Sequence, residues 1–426
     1  MKLTNESNKL MSFFEKHDCL LPIHQTKKTD AILKRIYNQI ISGVSYIQNI
    51  KSKMGKSFYN VKIEHITNAN QIPKPTTFPS NAFPPEVQKH INKNSIGLLV
   101  YTFNMFGRDI SIIFLTEDMR LEKLIELYNN YVDYMLVWLY IVDIYSSKKC
   151  VKQLKIFVYH TALLKRLPFS NVEILNENNV NTAFTRTCPS DSEIVVFRKE
   201  EWFKVFMHET FHNFGLDFSG MDLNVYNEKI LKIFPVNSNV NLYEAYTEFW
   251  ARIMNALFCS FINMKDKNDI DEFLTNAEMF INFERIFSFF QMVKILNFMG
   301  LSYDDLYKGN SSSENLRKTL YKEDTNVLSY YVITSILINN YQDFLSWCNV
   351  NNSTLLQFKN TFKNLDNLCQ FIGMKYKTKS MLDSVMCTKE MLYSIVKKSS
   401  QNKNKNKNKD IMYLIQNLRM TICELG

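Results

Sequence analysis

Glycine and proline are scarce in this sequence, 10 and 9 among 426 residues, which excludes collagen-like and turn-dense architectures for the chain as a whole. No CxxC pair occurs among its eight cysteines, Cys19, Cys150, Cys188, Cys259, Cys348, Cys369, Cys387 and Cys423. Neither a disulfide framework nor a cysteine zinc site is therefore expected, and the thiols read as reduced. The stretch MKLTNESNKLMSFFEKHDCL has no apolar core of signal-peptide length. The most apolar window, Tyr134 to Val142, lies between Asp133 and Asp143 and is too short to cross a bilayer. Phosphate-cradling glycine loops and nucleophile elbows are missing as well. These absences point to a soluble protein of an intracellular reducing compartment, cytoplasm or virion, with no membrane span.

A hydrophobic content of 46% supplies a packed core. The net charge of +9 invites a nucleic-acid reading, but residues 397–409 alone hold six lysines and no acid, and 9 − 6 leaves +3. A body so near neutrality presents no basic face, so no specific nucleic-acid partner is expected.

Apolar residues at helical spacing (Ile32, Leu33, Ile36, Tyr37, Ile40, Val44, Ile47) predict an amphipathic helix over 30–50. This belongs to an N-terminal helical extension, 1–70, a candidate propeptide. Five of the nine prolines fall between Pro73 and Pro85, marking a linker over 71–85. Strands are predicted at 97–103 and 110–115 around a turn at Gly107 and Arg108, then at 155–160, 180–185 and 193–197, with a helix over 119–145 between the second and third. From Glu200 onward the pattern is helical, most clearly at 200–214, 242–258, 270–299 and 327–347. A main domain over 86–396, a Lys/Asn linker over 397–409 and an amphipathic helix within 410–426 complete the division.

The chemistry lies in HETFH, residues 208–212. Residues four apart on a helix lie about 5–6 Å from one another on one face, so His208 and His212 can aim at one ion with Glu209 beside it. Zinc suits neutral imidazoles, and a zinc with one position open brings the pKa of water to about 7, within reach of Glu209 as general base. The flanking residues are uncharged and Glu200 and Glu201 favour the helix start through its dipole.

With its context, VFMHETFHNF resembles the extended signature of the zincin metallopeptidases. The segment Glu244-Ala245-Tyr246-Thr247-Glu248 is similar to the E-A-x-S-D segment of thermolysin-like gluzincins. That resemblance implies Glu244 as third metal ligand and Glu248 as the acceptor that holds a ring N–H, of His208 by preference. The 31 residues between His212 and Glu244 exceed the usual gluzincin spacing and require an insertion around Asp222 to Asn241. Exchange of the two acids, with Glu248 on the metal, stays open, since both lie on one helical face. Asp217 reads as a residue of the turn after the helix, Glu228 as a solvated helix residue, and Phe218 stands where metzincins carry a third histidine.

No histidine follows His212, so tyrosine or arginine must meet the oxyanion of a peptidase. Tyr330 and Tyr331 are the candidates, because the relatives place such donors C-terminal to their ligands. The relatives also bind substrate as an added strand, a role that falls to 180–185. The run from Glu193 to Phe218 further resembles uncharacterised metallopeptidase-like proteins of large DNA viruses. The expectation is an α+β, zincin-like fold: a small sheet, an active-site helix and a mostly helical C-terminal half. Its function would be that of a zinc (Zn2+) metallopeptidase, an endopeptidase acting on peptide or protein substrates. The alternative is a non-catalytic component that keeps this fold to bind zinc or protein partners.

Overall fold

Strand β3 (Arg108–Thr116, RDISIIFLT) alternates only in its first half, where Asp109 is exposed and Ser111 half-buried; Ile112–Thr116 are buried on both faces, because the sheet is covered on both sides there. A computed structural model describes residues 1–17, 20–79, 81–401 and 405–426 of this α+β chain. The sheet has six strands in the order β1 (Val61–His65), β2 (Gly97–Met105), β3, β4 (Gln153–His160), β6 (Asp191–Val196) and β5 (Ala183–Thr185). β2 pairs antiparallel with both β1 and β3, β4 pairs parallel with both β3 and β6, and β5 closes one edge antiparallel to β6. The β2–β3 hairpin turns at Phe106 and Gly107, both at positive φ (59° and 69°), the conformation that matches strand twist in a two-residue turn.

The helices before the site are α1 (Asn5–His17), α2 (Lys27–Met54), α3 (Pro85–Asn94), α4 (Leu121–Tyr145) and the single turn α5 (Glu177–Val180). α6 (Trp202–Asn213), α7 (Asn224–Ile233), α8 (Leu242–Asn263) and α9 (Ile270–Phe298) form the heart of the C-terminal half. After α10 (Ser311–Leu320), a π-helical turn over Leu328–Ile333 runs into α11 (Thr334–Asn339), α12 (Tyr341–Asn351), α13 (Phe362–Lys375), α14 (Lys379–Gln401) and α15 (Lys405–Gln416). None of the described helices is long and apolar enough to cross a membrane.

One sheet face (Leu99, Ile112, Phe114, Ile156, Val158, Ile194, Val196) joins the main core with α4, α6, α8 and α9. The opposite face (Leu98, Ile113, Leu115, Phe157, Val195, Phe197) is covered by Ile66, Ile72, Phe83, Val87 and Ile91. The proline-rich stretch is thus a sheet cover. The apolar stripe of α2 (Ile32, Leu33, Ile36, Ile40, Ile47) belongs to the main core too, and no residue of 1–70 lines the cleft described below, against the propeptide expectation.

Five other expectations are corrected. The strand predicted over 180–185 begins only at Ala183, because Asn176 caps α5 in a reciprocal capping box with Asn179. The helix predicted over 327–347 is a π turn followed by two helices that break at Asn340. In the Lys/Asn run, α14 reaches Gln401 and α15 starts at Lys405; residues 402–404 lie outside the described residues, as does Cys19. The C-terminal helix ends at Gln416, and 417–426 continue as a non-helical strap in which the N–H groups of Met420, Thr421, Ile422 and Cys423 meet carboxylates. Finally, the expectation of eight reduced cysteines fails at Cys150 and Cys188, which form a disulfide across 38 residues, and at Cys387, which is disulfide-bonded too. No spacing motif announces a pair so far apart.

Candidate metal centre

All twelve residues of α6 are buried, as befits a helix walled by the sheet, α4 and α8. Its middle is anchored by Trp138 of α4, whose Nε1 donates to Thr210 Oγ1 at 2.8 Å. Its end is held by Cys188, whose N–H donates to the His212 carbonyl at 3.2 Å, so the disulfide pins the loop that closes α6.

The helix turns His208 and His212 toward Glu244, in the first turn of α8. His208 Nε2 lies 3.2 Å from His212 Nε2 and 3.1 Å from Glu244 Oε2, and His212 Nε2 is 3.4 Å from that same oxygen. Ligands at 2.0–2.1 Å on a tetrahedral ion stand about 3.3–3.4 Å from one another, so this triangle is the face of a zinc-sized tetrahedron. The other ring nitrogens are engaged: His208 Nδ1 with Glu248 Oε2 at 3.1 Å, and His212 Nδ1 with Asp217 Oδ2. A carboxylate at Nδ1 fixes the N–H there and leaves the Nε2 lone pair for a cation. Three converging lone pairs at this separation repel unless a cation or a proton lies among them. Protonation is what the metal-free electrostatics favour. Burial alone would lower the His212 pKa, but Asp217 and Glu244 lift it well above the ordinary imidazole value. Burial likewise opposes ionisation of Glu244, yet the two imidazoles hold its carboxyl far below the usual range. The residues present fit zinc.

Glu209 lines the adjoining cleft with His208, Glu248, Tyr330, Thr182, Ala183 and Met420. Burial pushes its carboxyl above the ordinary value, the direction a general base needs. The water-accessible volume is only ≈ 30 Å³, room for water and not for a peptide side chain. Tyr330 donates its hydroxyl to Glu244 Oε2 at 3.0 Å. Tyr331 is placed elsewhere: its hydroxyl donates to the Leu418 carbonyl at 2.7 Å, so the catalytic reading of Tyr331 is withdrawn in favour of holding the C-terminal strap. The adjacent positions point apart because the turn that carries them directs only one into the cleft.

Asp222 caps Asn224 and Glu228 is exposed on α7, within the excursion between His212 and Glu244. Asp217 lies in the turn after the helix as expected, but its hold on His212 Nδ1 is not announced by the sequence. It lies five residues past His212, in the turn closed by Gly215 at φ 65°, and its other oxygen accepts from Ser219 N and Oγ. Only the loop conformation brings it back to the ring.

Tyr330 depends on the loop before it, where the Glu323 carboxylate accepts from Leu328 N at 2.9 Å, at the start of the π turn. Burial raises the Glu323 pKa from 4.5 to about 7. Between those values the folded chain keeps a proton that the unfolded chain has released, so stability falls as pH rises through this interval. Glu323→Gln is expected to flatten that slope in urea titrations at pH 5, 6 and 7; an unchanged slope would remove Glu323 as its source.

Comparison of the chain with protein-family models, curated proteins and solved structures finds no match, so the case for a metal centre rests on this geometry alone.

Proposed function

We propose that the protein is a zinc-dependent metallopeptidase of zincin type, with His208, His212 and Glu244 holding the ion. The observation that carries the reading is the triangle of donor atoms at 3.1–3.4 Å with a carboxylate behind each imidazole. Zinc bound there would act as Lewis acid toward a carbonyl and lower the pKa of water. Glu209 accepts the proton of the attacking water and returns it to the leaving amine. Tyr330, already on Glu244, turns its hydroxyl to the developing oxyanion. Strand β5, at the end of the sheet beside the cleft, offers its free edge to an extended peptide.

Purified protein should carry about one zinc per chain. Zinc at 100 times its Kd should stabilise the metal-free form by about 2.7 kcal/mol in denaturant titrations, and cleavage of a peptide library should stop on chelation. A chain without zinc by elemental analysis and indifferent to added zinc would sink the reading. The narrow cleft favours a second one, a zinc-holding protein that cleaves nothing; zinc-dependent stability without cleavage would select it.

A further inference from the structure

One turn before His208, where the helix carries the metal-facing stripe backward, stands Lys204, with its side chain 2% exposed. Its Nζ lies 2.9 and 3.1 Å from the two oxygens of Glu248. One of those oxygens, Oε2, is also the partner of His208 Nδ1 at 3.1 Å. Behind Lys204 the chain of charges continues: Glu201 Oε1 is 3.8 Å away, and Glu201 Oε2 meets Lys165 Nζ at 2.8 Å. Met420 N and Thr421 N of the C-terminal strap also donate to Glu201 Oε1, at 2.7 and 2.6 Å.

We propose that Lys204 is a positioning residue of the metal centre: its buried ammonium pins Glu248 in the orientation that grips His208 Nδ1 and so keeps His208 Nε2 on the ion. The inference rests on the metal reading above. Glu209, Glu244, Glu248 and Asp217 crowd carboxylates around two imidazoles. Zinc offsets the charge next to it, but Glu248 lies one ring farther out and needs its own counterion. A buried carboxylate without one swings toward solvent, which loosens its hold on the ring. The i, i+4 spacing of Lys204 and His208 on α6, matched by that of Glu244 and Glu248 on α8, sets cation, carboxylate and imidazole in line without any loop.

The test measures zinc affinity by competition with a chromogenic chelator in wild type, Lys204→Met, Glu248→Gln and the double variant. The Co2+ absorption of each reports ligand geometry. Lys204→Met is expected to weaken zinc binding by about 10- to 100-fold, the usual effect of losing an outer partner, with an altered Co2+ spectrum. The double variant should bind as Glu248→Gln does, since Lys204 acts through Glu248. Unchanged affinity in Lys204→Met, with only its folding stability lowered, overturns the proposal. If the single variant does not fold, the double variant, which leaves neither charge unpaired, decides: binding much weaker than Glu248→Gln overturns the proposal, and equal binding supports it. A wild-type chain that binds no zinc overturns the metal reading itself, and this proposal with it.

Discussion

Glu209→Gln is expected to leave zinc affinity unchanged and to lower kcat/KM for peptide cleavage by about 10²- to 10⁴-fold, the range general-base catalysis contributes. The substitution keeps shape and removes the site that takes up the proton. Glu209 is not one of the three converging donors, so the ion has no reason to leave. Glu244→Ala should do the opposite at the first step: it removes a ligand, weakens zinc itself and frees the Tyr330 hydroxyl that now rests on Glu244. Measuring zinc content alongside turnover separates the two. Undiminished cleavage by Glu209→Gln would end the general-base assignment, whatever the metal content.

The placement of His208 and His212 on one face with Glu209 beside them is legible in the sequence, because it rests on local periodicity. All three lie within five residues of one helix; Glu244 and Glu248 share a face of a second helix, but the choice of Glu244 as the ligand comes from the resemblance to gluzincins and not from spacing. β2, β3, β4 and β6 are legible for the same reason, as where Ile110, Ile112 and Phe114 repeat with period two, whereas β1 (Val61–His65) lies in the stretch expected to be a helical extension. What stayed hidden depends on chain reversal. Asp217 reaches His212 only because Gly215 takes a left-handed conformation. Lys204 looks like an odd charge on an apolar helix until Glu248, 44 residues on, lies against it. The strap after Gln416 reads as one more amphipathic helix, yet its amides are claimed by Glu201 and Glu284 from helices far away in sequence. Tyr330 and Tyr331 could not be told apart either, since a π turn shifts the phase that an α-helical reading assumes.

The strap is also where the largest loss of stability is expected. Glu284 of α9 is fully buried, and its Oε2 lies 2.9 Å from both Nε and Nη2 of Arg252 on α8. Its Oε1 accepts from Ile422 N at 3.1 Å, Cys423 N at 3.0 Å and the Thr421 hydroxyl. One carboxylate therefore joins the helix that carries Glu244 and Glu248 to the strap that carries Met420 into the cleft. Glu284→Ala leaves the Arg252 guanidinium buried without its counterion and the Ile422 amide without its acceptor, while Cys423 N keeps the Thr421 hydroxyl. Breaking such a pair from one side costs about 3–5 kcal/mol, against a total stability of about 5–15 kcal/mol. Glu284→Gln keeps an acceptor for the strap and should cost less. Urea unfolding of the two variants gives the magnitudes, and hydrogen exchange gives the place: amides of Met420 to Cys423 should lose protection first in Glu284→Ala. A loss below about 1 kcal/mol, a value typical of exposed pairs, would mean that the strap and α8 are held by their apolar contacts, with Leu418, Ile422 and Leu425 in the main core sufficient to seat it.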